Sequence, residues 1–144
     1  MVEQKYANHR RYVPMFHFFL FGLILLTIAC SCVNLVKSIG DPPRMWGAVL
    51  FLSLSIIGLF LFFFCRTFAL KAQDRAIRAE ETLRHFVLTG KLLDSTLTIR
   101  QIIGLRFASD DEFASLAHRA AIENLSEDAI KKAIKNWRGD YYRA

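Results

Sequence analysis

A long uncharged run, residues 46–65, passes directly into a polar segment with charges of both signs. Glycine and proline, which are both unfavourable inside a helix, are absent from residues 59–89. We therefore predict one continuous helix over residues 45–88, apolar in its first half and polar in its second. About 20 apolar residues in a helix span a hydrocarbon core of roughly 30 Å, so the first half has the length of a membrane span.

A second apolar block precedes this helix. Residues 15–36 contain no Asp, Glu, Lys or Arg and also have the length of a membrane span. Between the two blocks, Gly40 suits a helix C-cap, and Asp41-Pro-Pro43 is unable to continue a helix. The sequence thus predicts a transmembrane hairpin at residues 15–65, with spans at about 15–36 and 46–65, after an N-terminal tail of residues 1–14.

Positive charges are distributed unequally around the two blocks. The turn contains only Lys37 and Arg44, whereas eight lie on the other side: Lys5, Arg10, Arg11, Arg66, Lys71, Arg75, Arg78 and Arg84. Because Lys and Arg accumulate on the cytoplasmic side, both termini are predicted to be cytoplasmic and the turn external. Lipid head groups are expected partners of five of these side chains: Lys5, Arg10, Arg11, Arg66 and Lys71. A membrane also accounts for the net charge of +6, and no nucleic acid is expected.

Residues 66–144 form the remaining predicted part, a small cytoplasmic helical domain, so the fold class is all-α. In the polar half of the long helix, apolar residues recur every three or four positions. They form a stripe that we expect to pack on the following domain or on a neighbouring subunit: Phe68, Ala72, Ala76, Ala79, Leu83 and Phe86. The same segment contains two i, i+4 pairs of opposite charge, Asp74 with Arg78 and Glu80 with Arg84. Gly90 is expected to end the helix.

Capping patterns divide the C-terminal part into three helices. Thr98 with Gln101, and Ser109 with Glu112, have the spacing of a capping box, and Ser126 is placed to cap a third helix. We predict helices over residues 99–108, 110–123 and 127–138, the last ended by Gly139. The expected core consists of their apolar faces: Ile102, Ile103, Leu105, Phe107, Phe113, Leu116, Ala117, Ala120, Ala121, Ile130, Ala133, Ile134 and Trp137.

Residues for catalysis or ligand binding do not form a recognisable pattern. Hydrolases and transferases need a nucleophile, a base and an oxyanion donor, and the chain lacks Gly-x-Ser-x-Gly and a Gly-rich phosphate loop. His17 lies near the edge of an apolar block, where interfacial hydrogen bonding is commoner than ligation. The acids at 110–112 suit a helix start better than a metal site. We expect no enzyme, cofactor or metal; an enzyme would need Arg106, Asp111 or His118 in one pocket.

A polar segment starts about two helical turns after the second apolar block. Its mixture of polar and charged residues is more specific than a simple spacer would need. It contains Gln73, Asp74, Arg75 and Arg78, where we expect contacts with the domain or with a partner. Arg106 and Trp137 are further candidates for such contacts.

Several blocks spread over nearly the whole chain are distinctive: Tyr6-Ala-Asn-His9 with Tyr12 and His17, Ala69-Leu-Lys-Ala-Gln-Asp-Arg75 with Ile77-Arg78, Leu105-Arg-Phe-Ala-Ser-Asp-Asp-Glu112, Asn124-Leu-Ser126, and Ile130-Lys-Lys-Ala-Ile-Lys-Asn-Trp-Arg138 with Asp140. In these blocks the chain resembles an uncharacterised family of small two-pass bacterial membrane proteins, defined only as a domain of unknown function. The resemblance implies the two-span architecture and a location in the bacterial inner membrane. It implies no catalytic residue.

These patterns together favour an integral inner-membrane protein that acts as a non-enzymatic structural or interaction subunit. Its expected partners are a second copy of itself or other subunits of a membrane complex. The alternative hypothesis is a homo-oligomeric small channel. Its polar lining would be limited to a few uncharged side chains within the spans: Thr27, Ser31, Asn34, Ser53 and Ser55.

Overall fold

Two long helices form the first half of the computed structural model, which describes residues 4–8 and 12–141. The first helix, Met15–Lys37, begins with a π-helical segment, Met15–Leu20, and continues as α1, Phe21–Lys37. The second, α2, extends over Pro42–Thr89. The prediction of one continuous helix through the apolar and polar segments is therefore confirmed.

Proline and glycine set the ends of α2. Pro42 and Pro43 occupy its first turn, where a missing N–H costs nothing because the first N–H groups of a helix have no partner within it. Gly40 and Gly90 have φ angles of 90° and 71°, values that glycine adopts without steric cost. As predicted, Gly90 ends the helix.

Three short helices follow: α3 (Ile99–Leu105), α4 (Asp110–Ile122) and α5 (Glu127–Ala133). Among the described residues there is no strand, and an isolated antiparallel bridge joins Ala108 to Trp137. The all-α fold class is confirmed.

The chain divides into two compact units: an apolar unit, Arg11–Phe68, and a polar unit, Met1–Arg10 with Ala69–Ala144. In the apolar unit both helices are long and apolar enough to cross a membrane, yet only 6% of the most apolar window of each is buried. The Phe16 ring stacks on Phe62, with centroids 4.3 Å apart. An all-round apolar helix is normally buried in a large core or surrounded by lipid, and these two are not buried.

The core of the polar unit lies between α3, α4 and α5. Leu105, Phe107, Phe113 and Ile130 have no exposed surface. Gly104 permits the close approach of α3 to α5, because a Cβ atom there would lie 3.1 Å from the carbonyl oxygen of Glu127. Apolar side chains from α2 and from the loop after it also belong to the core: Ile77, Leu93 and Leu97.

The N-terminal tail belongs to the polar unit. The Tyr6 hydroxyl donates a hydrogen bond to the Asp128 carboxylate at 2.5 Å. The Gln4 side-chain oxygen accepts one from the backbone N–H of Asp140 at 2.7 Å. Both ends of the described chain therefore pack in the same unit.

The third and fifth helices are shorter than predicted. Helix α3 ends at Leu105 rather than at residue 108, and α5 ends at Ala133 rather than at residue 138. Gly139 is not the stop signal, because the backbone is already extended at Ile134. The extended segment obtains its hydrogen bonds from its neighbour: Ser109 N–H donates to Asn136 O at 3.1 Å, and Arg138 N–H donates to Phe107 O at 2.7 Å.

One predicted capping box forms and the other does not. Thr98 and Gln101 make both reciprocal bonds at the start of α3, and Ser126 accepts from Ala129 N–H at 3.2 Å. The predicted box of Ser109 and Glu112 is wrong. Glu112 instead accepts from the backbone N–H groups at 135 and 136, at 3.1 and 3.0 Å. The buried Ser109 hydroxyl has no hydrogen-bond partner among the described residues.

Replacing the two hydroxyl residues should therefore have different effects. Thr98→Ala should lower the free energy of unfolding of the polar unit by about 1 kcal/mol, the usual cost of losing an N-cap. Ser109→Ala should leave it unchanged or raise it, because no hydrogen bond is lost and a buried polar group is removed. Amide hydrogen exchange of α3 and α4 in the full chain in detergent micelles measures both. Equal losses would contradict the difference in capping.

Candidate interaction surface

The polar half of α2 has two faces with opposite environments. Ile77 and Glu81 face the core and are each 6% exposed. At 100° per residue, the predicted apolar stripe lies roughly 140° around the helix from this face. It is solvent-exposed: Leu83 is 63% and Phe86 49% exposed, and its three alanines are exposed as well. Of the two expected packing partners of the stripe, the following domain is therefore wrong, and a neighbouring subunit stays a prediction.

Arg84 explains the choice of face. Its Nη1 donates to Glu81 at 2.9 Å, its Nε donates to Asp110 at 2.7 Å, and its Nη2 donates to Ala108 O at 2.7 Å. Its guanidinium carbon also lies 4.3 Å from the centre of the Phe113 ring. One side chain thus fastens α2 to the start of α4. These contacts fix which side of α2 is buried.

The two i, i+4 ion pairs predicted on α2 are not formed. Arg84 pairs with Glu81 at i, i+3 and with Asp110 rather than with Glu80. Within the described part of the chain, Asp74 makes no ion pair with Arg78. Arg84 instead combines a local i, i+3 pair with a long-range contact to Asp110, and exposed i, i+4 pairs contribute only a few tenths of a kcal/mol.

An open groove of about 610 Å³ lies on the outer side of α2. Its walls combine two arginines with mainly apolar side chains: Arg75, Arg78, Ala79, Thr82, Leu83, Phe86 and Leu92. Over residues 4–8 and 12–141, no carboxylate lies within ion-pair distance of Arg75 or Arg78. The groove therefore has uncompensated positive charge next to exposed apolar surface.

Arg106, another predicted contact residue, lies inside the polar unit and is only 8% exposed. Its Nη1 lies 3.3 Å from the Asp140 carboxylate. Burial lowers the pKa of Arg106, and the negative charges of Asp140, Asp74, Glu127 and Glu81 oppose this shift. The guanidinium remains charged at neutral pH, since arginine is not deprotonated in proteins. Arg106 thus contributes to the interior rather than to an accessible surface.

The other predicted contact residues occupy different places. Gln73 and Asp74 are half-buried on α2. Trp137 packs on Phe107, with ring centroids 5.0 Å apart. The predicted contact set is consequently divided: Arg75 and Arg78 line the groove, and the rest belong to the packing of the polar unit.

Three of the five predicted lipid contacts lie within the described residues. Lys71 is exposed, and the guanidinium of Arg66 lies 6.0 Å from the Phe16 ring centre. The backbone N–H of Lys5 donates to Asn8 at 2.6 Å. Arg10 and Arg11 lie outside the described residues.

A second cavity, of about 340 Å³, is lined by charged side chains: Glu80, Glu81, Arg84, Asp110 and Arg138. Its charges compensate one another: Arg84 pairs with Glu81 and Asp110. Neither this cavity nor the groove is lined by Arg106, Asp111 or His118. In the part of the chain that the structure describes, no group of three or more His, Cys, Asp or Glu could hold a metal ion.

Sequence reasoning missed two features of this surface. The sequence did contain a signal for the role of Arg84, because Ile77, Glu81 and Arg84 have the i, i+4, i+7 spacing of one helix face. No sequence signal indicated that Leu92 lines the groove, because Leu92 follows α2 in a segment without regular structure. It is 71% exposed.

Arg84→Met should destabilise the polar unit by roughly 3 kcal/mol, because it leaves the buried Glu81 carboxylate without its main partner. Arg78→Met, the matched control on the outer face, should change stability by less than about 0.5 kcal/mol. Urea unfolding in detergent micelles, followed by Trp137 fluorescence in a Trp46→Phe background, measures both. Similar losses for the two variants would show that Arg84 does not hold α2 in place.

Comparison with known proteins places the chain in one family. No curated protein and no solved structure matches it significantly. A model of a family of unknown function matches residues 1–144. That match covers every residue of the sequence, and the chain therefore belongs to DUF6526, a family of unknown function.

Proposed function

We propose that this protein is a non-enzymatic interaction subunit of the bacterial inner membrane: a two-span hairpin that presents a cytoplasmic helical domain to a protein partner. The observation that carries the proposal is the exposed apolar stripe on the polar half of α2. The membrane part of the proposal is supported by the two apolar helices, whose side chains are almost entirely unburied.

Contacts between the two ends of the chain support an even number of membrane crossings. Residues before the first apolar helix bind residues after the second: Tyr6 bonds Asp128, and Gln4 bonds Asp140. Segments in direct contact must lie on the same side of a bilayer. Two crossings, by Met15–Lys37 and by the first part of α2, satisfy this requirement, and the excess of Lys and Arg supports the cytoplasm as that side.

Cysteine labelling tests this topology. In a background in which the three native cysteines are replaced by alanine, Ile39→Cys in the turn should react with a membrane-impermeant maleimide applied to spheroplasts. Ser115→Cys, an exposed position on α4, should react only after permeabilisation. The reverse pattern would overturn the orientation, and reaction of both in sealed spheroplasts would overturn the two-span arrangement.

The apolar stripe supports an interaction role because its exposure to water is unfavourable. Burial of apolar surface contributes about 25 cal/mol per Å², and contiguous exposed apolar surface is typical of interaction sites. Beyond Phe68, the stripe consists of the small residues Ala72, Ala76 and Ala79, followed by the large Leu83 and Phe86. Small residues let a partner helix approach closely, and the large ones provide anchors.

Hydroxyl groups in the apolar helices favour this role over a channel. Thr27 donates to Leu23 O at 2.8 Å, Ser53 donates to Val49 O at 2.8 Å, and Ser55 donates to Phe51 O at 2.7 Å. Such back-bonding satisfies the hydroxyl proton within its own helix, so no polar pathway is needed to explain these side chains.

Blue-native electrophoresis of gently solubilised membranes tests the interaction role. The wild-type protein should migrate in an assembly larger than its monomer, and Leu83→Ser should lose most of it, because truncating a buried anchor typically costs about 2 kcal/mol or more. Ile122→Ser is the matched control, since Ile122 is 70% exposed on α4 and lies outside the stripe. It should retain the assembly. A wild-type protein that is only monomeric, or equal losses in both variants, would refute the proposal.

A further inference from the structure

We infer that the groove on the outer side of α2 binds an amphipathic helix of another protein that carries acidic residues beside its apolar anchors. The inference depends on the proposed function and specifies the chemistry of the partner. It follows from three properties of the groove: its charge, its shape and its position along α2.

The positive charge of the groove favours an acidic ligand. Arg75 and Arg78 are exposed, and among the described residues neither has a carboxylate partner. Nearby arginines are compensated, since Arg84 and Arg138 share Glu81. A carboxylate fits a guanidinium with two parallel hydrogen bonds. Two arginines three residues apart on one helix suit two acids at similar spacing.

The shape of the groove suits a helix. Its lining extends along α2 from Arg75 to Phe86, which corresponds to about three helical turns. Along α2, the small residues Ala79 and Thr82 form its middle, and the large apolar Leu83 and Phe86 follow them. A helix laid in such a groove presents anchors at i, i+3 or i+4 and i+7.

The order of residues along α2 favours a protein over a lipid. The arginines precede the apolar end of the groove, so they lie between the apolar half of α2 and Leu83. A lipid head group bound to Arg75 would have its acyl chains directed back towards the membrane, away from Leu83 and Phe86. The apolar end of the groove would remain uncovered.

The same order argues against a second copy as the occupant. Two copies in one membrane have parallel α2 helices, and a two-fold axis brings equivalent residues together. Arg75 would then approach Arg75 of the partner subunit, and like charges across an interface disfavour association. An acidic helix of a different protein meets no such repulsion.

Site-specific photocrosslinking in native membranes tests this inference with the full chain. A benzoylphenylalanine at Leu92 reports on the groove, and mass spectrometry identifies the captured peptide. Arg75→Glu with Arg78→Glu should lower capture at least about tenfold, because it places acids opposite acids. Arg100→Glu with Arg119→Glu is the control of equal net charge at exposed positions outside the groove, and it should leave capture unchanged.

The inference is supported if the captured peptide is a helix of another protein with acidic residues three or four positions apart. Replacing those acidic residues by Lys should then restore capture by the Arg75→Glu, Arg78→Glu variant. Capture of lipid, capture of a second copy, or capture that survives the charge reversal would overturn the inference while leaving an interaction role intact. Absence of any crosslinked protein would refute the proposed function itself, and the inference with it.

Discussion

The ion pairs of Arg84 determine how the polar unit is assembled. A helix with an apolar stripe is expected to bury that stripe, yet α2 buries Ile77, Glu81 and Arg84 instead. Hydrogen bonds from one guanidinium to Asp110 and to Ala108 O fix the rotation of α2 against the core. Directional polar contacts of this kind select one arrangement among several that bury similar apolar area. The exposed stripe is a direct result.

The core that remains is small, and this also limits what α2 can bury. Its main side chains come from α3, α4, α5 and the adjoining loops, with only Ile77 from α2. One face of a helix is sufficient to cover such a core. The other face of α2 stays exposed, since Leu83 and Phe86 on it are 63% and 49% exposed.

Local signals in the sequence predicted the local structure well. Gly90, Thr98 with Gln101, and Ser126 act where backbone geometry and capping require them. The sequence failed where a distant segment competed for the same group: Glu112 bonds the backbone at 135 and 136 instead of capping α4. The periodicity of a sequence does not indicate which of two suitable hydrogen-bond partners a side chain will bond. For the candidate site, Arg75 and Arg78 were predicted as contacts, but the groove beside them depends on Leu92, which only the tertiary structure brings there.

The bonds of the N-terminal tail have a consequence for biogenesis. Tyr6 and Asp128 are separated by 122 positions, and Gln4 and Asp140 by 136. At ribosomal rates of roughly 5–20 residues per second, about 6–27 s pass between the synthesis of Tyr6 or Gln4 and the synthesis of its partner. During that interval both apolar helices have already left the ribosome. Both apolar helices are therefore synthesised before the hydrogen bonds between the tail and the C-terminal segment of the polar unit can form.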